Sequence, residues 1–320
     1  MTERAAGSPF PVSAGLAARR GGLRAAHGDA FLARLGAMLH AGAADRVHPV
    51  CAIRASVVDA LVADLGLADA TDAAVLALDA AAAIARPPIS GYRVGVVGIG
   101  AASGDLYLGG NLEFPGAAIT STVHAEGFAA LLARARGDRL ATLVSTQTRP
   151  CAHCRQVLAE FDGAAELRLV DPLGHDLALE DVFPWPFAPS DLGQRGARTD
   201  EGGPLSLEDP AALPDDVAAA LAAAGRRAHA PYSGSPAAAV LRLRDGLLVG
   251  GAVLESVAFN PSIGPAQDAL VGLVAAGRRY DEIVEAWLAV RRDAPVDYEA
   301  PSRGLLAAVA PAPVRTTYWG

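Results

Sequence analysis

Along the first 86 residues, apolar positions recur every three to four residues. Asp29–His40 and Ala55–Leu65 show this most clearly, and both read as amphipathic helices. Pro87-Pro88 stops the last helix of the stretch, because proline lacks an N–H and its ring clashes with the preceding turn. The pattern then becomes that of strands. Tyr92–Ile99 is rich in β-favouring residues, Gly100–Gly104 turns the chain, and Asp105–Gly109 returns it. A loop containing Asn111, Glu113 and Phe114 leads into a helix that begins near His124. Leu140–Gln147 reads as a buried strand, a helix follows from Cys151, and Leu167–Asp171 is a further strand. Strands alternating with helices predict an α/β sandwich. Gln194–Leu213 has no apolar period, is rich in Gly, Pro, Asp and Glu, and reads as a linker.

After the linker the pattern begins again. Ser233-Gly-Ser-Pro-Ala-Ala-Ala-Val echoes Ser90-Gly-Tyr-Arg-Val-Gly-Val-Val. Arg244-Asp-Gly-Leu-Leu-Val-Gly-Gly echoes Ser103-Gly-Asp-Leu-Tyr-Leu-Gly-Gly, and Glu255 then stands where Glu113 stands. Eleven residues take Glu113 to His124, and the same count from Glu255 predicts Ala266 opposite His124 and Asp268 opposite Glu126. No cysteine follows Cys154. The second copy therefore carries the scaffold without a metal site, and its role is structural or that of a wall for another active site.

Composition narrows the function classes. At 320 residues the chain has room for two domains, and 52% hydrophobic against 19% charged residues gives ample core. The net charge of −8 argues against a nucleic-acid binder, which carries a basic face. The sequence contains no lysine, so lysine Schiff-base chemistry and a Walker-type phosphate loop are excluded. Three cysteines leave no disulfide framework once two are assigned to a metal, which fits a reducing cytoplasm. Met1–Arg20 has no continuous apolar stretch and reads as no signal peptide, and the apolar runs near Ala73–Ala85 and Val217–Ala224 are too short to span a membrane.

The chemistry lies in His124-Ala125-Glu126 and Pro150-Cys151-Ala152-His153-Cys154-Arg155. These form the H-x-E … P-C-x-x-C signature of zinc-dependent deaminases, in which an activated water attacks an amidine carbon and ammonia leaves. The residue types suit that task. A catalytic zinc takes three protein ligands and keeps one position for water. Cys151 and Cys154, three residues apart at a predicted helix start, can meet one ion, and His124 can supply the third ligand. A helix N-terminus also favours thiolate over thiol. Glu126 lies in the same turn as His124, where a carboxylate serves as proton carrier. His153 is expected to point away from an ion shared by the cysteines. A redox pair or half of a structural zinc site are the alternatives. A structural site needs four ligands and Cys51 is far upstream, while a redox pair has no use for His124 and Glu126.

Over nearly its whole length the chain resembles the two-copy, homodimeric bacterial cytidine deaminases. The resemblance is strongest over Pro87–Phe161 and His229–Leu273. It is carried by Gly110-Asn111-Leu112-Glu113-Phe114, Thr122-Val123-His124-Ala125-Glu126, Pro150-Cys151-Ala152-His153-Cys154-Arg155-Gln156 and Ala258-Phe259-Asn260-Pro261. It implies a duplicated three-layer α/β/α sandwich: a helical segment 1–86, a catalytic domain 87–193, a linker 194–213 and a degenerate non-catalytic domain 214–320. It implies one zinc ion per chain on His124, Cys151 and Cys154, with Glu126 moving protons from the attacking water to N3 and the leaving amine. Asn111 and Glu113 match positions that hydrogen-bond ribose hydroxyls, although Asn111 also suits a turn after Gly109-Gly110. The N–H of Ala125 matches a donor to the pyrimidine carbonyl. Tyr92 stands where the family places a phenylalanine against the ring. Phe187 resembles a second aromatic wall, and Phe259 matches a residue of the broken copy that closes the partner's site; both also read as core filler. The implied activity is cytidine and 2′-deoxycytidine deamination for pyrimidine salvage in a cytoplasmic homodimer, without nucleic-acid or membrane partners. Deamination of another nucleoside-like aminopyrimidine, a polynucleotide-editing role and a zinc-stabilised scaffold are the competing readings.

Overall fold

Glycine decides how closely helices approach the first sheet. The computed structural model describes residues 9–41, 50–146, 150–199 and 205–320. Residues 1–8, Gln147 and residues 200–204 of the segment read as a linker lie outside the described residues. The chain enters through α1 (Ala14–Ala41), the short strand β1 (Ala52–Ile53), α2 (Ala55–Leu65), α3 (Ala70–Leu76) and α4 (Leu78–Ile84). There follow β2 (Gly95–Gly100), β3 (Leu106–Gly110), α5 (Ala125–Ala135), β4 (Leu140–Ser145), α6 (Ala152–Ala159), β5 (Arg168–Val170), β6 (Asp176–Ala178) and α7 (Leu179–Val182). The strands form one sheet in the order β1-β3-β2-β4-β5-β6.

Successive strand residues face opposite sides of a sheet. Gly95 and Gly110, paired across β2 and β3, face α4, and a Cβ on either would lie 2.4 Å from a backbone nitrogen of Ala82 or Ala85. Gly109 faces the other side, where a Cβ would lie 2.4 Å from the Ala125 carbonyl oxygen in α5. Helices therefore close on both faces at backbone contact, and α6 packs beside α5. The outcome is a three-layer α/β/α sandwich.

The second copy repeats the plan with α8 (Asp215–Gly225), β7 (Ala238–Leu243), β8 (Leu248–Ala252), α9 (Pro265–Ala275), β9 (Ile283–Arg291), α10 (Glu299–Val309) and β10 (Val314–Trp319). Its sheet runs β8-β7-β9-β10, matching β3-β2-β4-β5, and the final pair is parallel in both. α4 thus has a counterpart in α8, although it precedes Pro87.

Two counterparts counted along the sequence are corrected. Leu112 pairs with Val123 and Leu254 with Ile263, so the second copy's loop is two residues shorter. His124 caps α5 and Gly264 caps α9. Gly264 therefore stands opposite His124, and Ala266, not Asp268, opposite Glu126. The hairpin is also one residue shorter, since Gly95 pairs with Gly110 but Ala238 with Ala252. Gly251 consequently takes the role of Gly109, with a Cβ there 2.1 Å from the Ala269 nitrogen. The gapless count from Glu255 carries the two-residue loop offset forward.

The copies join through α5 and α9 and share one continuous apolar core. Glu160, at the end of α6, is wholly buried at this join. It accepts hydrogen bonds from His229 Nε2 (2.8 Å), the Tyr232 hydroxyl (2.6 Å) and the Val257 N–H (2.8 Å), all in the second copy. The N-terminal helix docks on the first copy: buried Arg20 donates to the carbonyls of Asp171 and His175. The stretch between the copies is tied at both ends, Ala197 bridging to Phe161 and Leu207 to Trp319. No helix among the described residues is long and apolar enough to cross a membrane.

Replacing Glu160 with alanine removes the acceptor that three donors of the second copy share. The expected cost is about 2–4 kcal/mol, read as a lower urea midpoint at unchanged slope. A midpoint equal to the parent's would show that the join does not depend on this carboxylate.

Candidate functional site

Two helix N-termini converge on one point. His124 is the N-cap of α5 and Cys151 the N-cap of α6. The first N–H groups of a helix have no intrahelical partner, and their partial positive charge favours anions. The Cys154 N–H accordingly donates to Cys151 Sγ at 3.4 Å. His124 Nδ1 lies 3.1 Å from Cys154 Sγ and 3.5 Å from Cys151 Sγ, and the sulfurs are 3.4 Å apart. Zinc binds imidazole nitrogen at about 2.0–2.1 Å and thiolate at about 2.3 Å. A triangle of these dimensions brings all three atoms within reach of one ion and leaves a side open. The donor set, one nitrogen and two sulfurs, fits a catalytic zinc site.

His153 departs from the sequence expectation. Its ring centroid lies 5.0 Å from that of His124, and its ligand nitrogen is within 4.8 Å of the His124 and Cys154 donors. It sits beside the triangle, one step further out than Cys151.

The ligand cluster concentrates charge. The hydrogen bond with Cys154, and then the bond with His124, hold the Cys151 thiol down at about 3 against the penalty of burial. The same Cys151 bond, together with burial, pushes Cys154 upward. The bond to Cys151 raises the His124 imidazole despite its burial. Glu126, in the first turn of α5, is buried, and burial pushes its carboxyl above the usual range against the pull of Cys154 and His124. A carboxyl raised in this way is a better proton acceptor than an exposed one.

His124, Glu126 and Cys151 form the floor of a cavity of about 380 Å³, with Ala125 between them. The outer wall comes from Ser90, Tyr92, Val94, Asn111, Glu113 and Thr122. Asn111 is buried, and its side chain joins backbones: Oδ1 accepts from the Val94 N–H (2.9 Å) and Nδ2 donates to the Tyr92 carbonyl (3.0 Å). Glu113 Oε2 accepts from the N–H groups of Ile89 and Ser90, both at 2.9 Å, and Oε1 from the Ser90 hydroxyl at 2.5 Å. Burial acts to raise Glu113, but the Ser90 and Ile89 donors outweigh it and hold the carboxylate below its usual range.

The same clamp exists in the second copy. Glu255 accepts from the N–H groups of Tyr232 and Ser233 and from the Ser233 hydroxyl. It also accepts a fourth donor, the Tyr298 hydroxyl at 2.8 Å. Tyr298 caps α10 as Cys151 caps α6. Asn111 and Glu113 therefore shape the turn that bears Tyr92, a task the sequence did not disclose.

Tyr92 lines the cavity and is 56% exposed. Phe187 and Phe259 do not line it; they are 47% and 63% exposed, and Phe259 has a left-handed φ of 62°. Gln156 Nε2 donates to the Phe187 carbonyl (2.8 Å) and Arg155 Nη1 to the Val182 carbonyl (2.5 Å), so the Arg-Gln pair after Cys154 holds the segment carrying Phe187. Ser90 and Thr122 are wall residues that sequence reasoning left without a role. Their signal was proximity: Thr122 opens the Thr-Val-His-Ala-Glu motif, and Ser90 opens the echoed Ser-Gly.

Two matches to family models described as the cytidine and deoxycytidylate deaminase zinc-binding region cover residues 69–167 and 179–303. They fall on the two copies. Among solved structures, the chain is similar to the cytidine deaminase of Mycobacterium tuberculosis, with 29% identity over 35% of this chain and 91% of that one and a TM-score of 0.31. It is similar to that of Mycobacterium leprae, with 29% identity over 34% and 92% and a TM-score of 0.31. For the Burkholderia pseudomallei enzyme the values are 24% over 30% and 76%, with a TM-score of 0.28.

Cys151→Ala removes one corner of the triangle. Bound zinc is expected to fall from one ion per chain to a small fraction, with a lower Tm, because metal binding is coupled to folding. Zinc analysis beside thermal denaturation reads both, and a normal zinc content would refute the ligand set.

Proposed function

The chain belongs to the cytidine and deoxycytidylate deaminase family, and we propose that it hydrolyses cytidine and 2′-deoxycytidine to uridine and 2′-deoxyuridine with release of ammonia. One observation carries the proposal: a closed nitrogen–sulfur–sulfur triangle and a buried carboxyl share one cavity with a carboxylate wall. When bound, zinc supplies a nucleophilic water at neutral pH by lowering its pKa. Glu126 holds the proton taken from the nucleophile, passes it to pyrimidine N3 and then serves the departing 4-amino group. Its burial favours the protonated form of the carboxyl. The Ala125 N–H, at the open end of α5, faces no intrahelical acceptor and is free to orient the pyrimidine carbonyl. Tyr92 offers a ring face for the base.

The sugar end supports a nucleoside over a nucleotide. Among the described residues, those lining the cavity include no arginine. Glu113 would repel a phosphate, whereas a neutral hydroxyl can donate to it. The second copy supports this reading from within, since Glu255 holds its turn and still accepts the Tyr298 hydroxyl. Glu113 has the same remaining acceptor capacity, turned to a cavity instead of a tyrosine. The absence of arginine on that wall also speaks against a polynucleotide track.

Phe187 and Phe259 complete the proposal as walls supplied between two protomers of a homodimer. Exposing an aromatic ring in a left-handed backbone costs stability. Phe259 does this at the surface of the copy that lacks ligands, which suits a residue serving a neighbouring chain.

Purified protein with cytidine, deoxycytidine, CMP and a cytosine-containing oligonucleotide should release ammonia from the two nucleosides alone. Glu126→Ala should keep its zinc and lose about 10²–10⁴-fold in kcat. Equal turnover of CMP would remove the argument from Glu113, and a near-normal Glu126→Ala rate would remove its proton role. Phe259→Ala should raise KM several-fold at unchanged Tm; parent kinetics would make Phe259 a bystander.

A further inference from the structure

At the third residue of the facing helices α5 and α9, Gly127 in α5 stands opposite Gln267 in α9. Gln267 does two things with its amide. Oε1 accepts from the Gly264 N–H at 2.7 Å and so caps its own helix. Nε2 donates to the Ser121 carbonyl at 3.0 Å, in the first copy. Only a group with an acceptor on one arm and a donor on the other makes both bonds. Ser121 ends a short turn of 3-10 helix, Ile119–Ser121, whose first residue is 81% exposed. The next residues, Thr122 to His124, run directly into the cavity and the ligand triangle. Beside this bond Ile263 Cδ1 lies 3.6 Å from where a Cβ on Gly127 would sit, so the missing side chain in one copy admits the side chains of the other. Thr120, His124 and His153 of the first copy and Ser262 and Gln267 of the second line a narrow crevice behind the triangle.

We propose that Gln267 is a positioning residue for the zinc site. The copy that lacks ligands holds the Ser121–His124 approach in place for the copy that has them. The proposal rests on His124 being a zinc ligand. Its bond to the Ser121 carbonyl ties the half-buried Ser121, close to the exposed Ile119, to the start of α9, beside the pairing of Val123 with Leu112. Loss of the tether lets His124 leave the ion more often.

The test uses the full zinc-loaded chain and measures zinc release to a colorimetric chelator, each variant held equally far below its own Tm. Gln267→Glu keeps the acceptor for Gly264, since either residue serves at this helix position, but it cannot donate to Ser121. Gln267→Met loses both bonds. Both variants are expected to release zinc about fivefold faster than the parent, the value of one hydrogen bond, with Gln267→Glu near the parent Tm. Parent-like release from Gln267→Glu overturns the proposal; if only Gln267→Met is fast, the effect belongs to the cap of α9 and the proposal again fails. Zinc release reads this without turnover, so silence on the nucleosides would count against the substrate reading and leave the positioning result intact.

Discussion

The site depends on two helix starts being forced together. α5 can reach the sheet only because Gly109 has no side chain, and α6 lies beside α5. That contact fixes where the N-cap positions fall. His124 and Cys151 occupy those caps, so an imidazole and a thiolate arrive together where helix N–H groups favour negative charge. Glu126 follows from the same geometry, in the first turn of α5 and buried. A larger residue at Gly109 would displace His124 and Glu126 together, because both ride on one rigid helix.

The duplication shows which features belong to the scaffold and which to the chemistry. Both copies keep the close glycine contact, the sheet order and a glutamate clamping a Ser-Gly turn. They differ at the helix caps, where glycine replaces His124 and tyrosine replaces Cys151. The clamp is therefore architecture in both copies, and the cavity beside Glu113 is what the first adds. In the second, Tyr298 fills the equivalent acceptor with its own hydroxyl. The second copy still meets the first beside the site, through its buried bonds to Glu160 at the end of α6 and the bond from Gln267 to Ser121 ahead of α5.

The chain's chemistry was legible because it is written in short spacings. His124 and Glu126 lie two residues apart, and Cys151 and Cys154 three, within the span of a helical turn, so local geometry alone brings each pair near its target. The helix over Ala55–Leu65 was legible for the same reason, its apolar period being local. The repeat was also visible, yet its alignment was not. The two-residue and one-residue shortenings occur in a loop and a hairpin, where length is free to vary, and counting passes through them unaware.

By itself, then, the sequence determined the fold class, the deaminase family and its zinc requirement, since these follow from residue type and spacing along the chain. Tertiary structure alone decided that Gly264 and Ala266 stand opposite His124 and Glu126, that Asn111 and Glu113 brace a turn, and that Phe187 and Phe259 lie off the cavity. It also decided that His153 sits beside the ligands and that Gln267 reaches Ser121. The physical reason is common to all of these. Each depends on which backbone groups from distant segments meet in space, and a hydrogen bond to a carbonyl 146 residues away leaves no pattern in the chain that makes it.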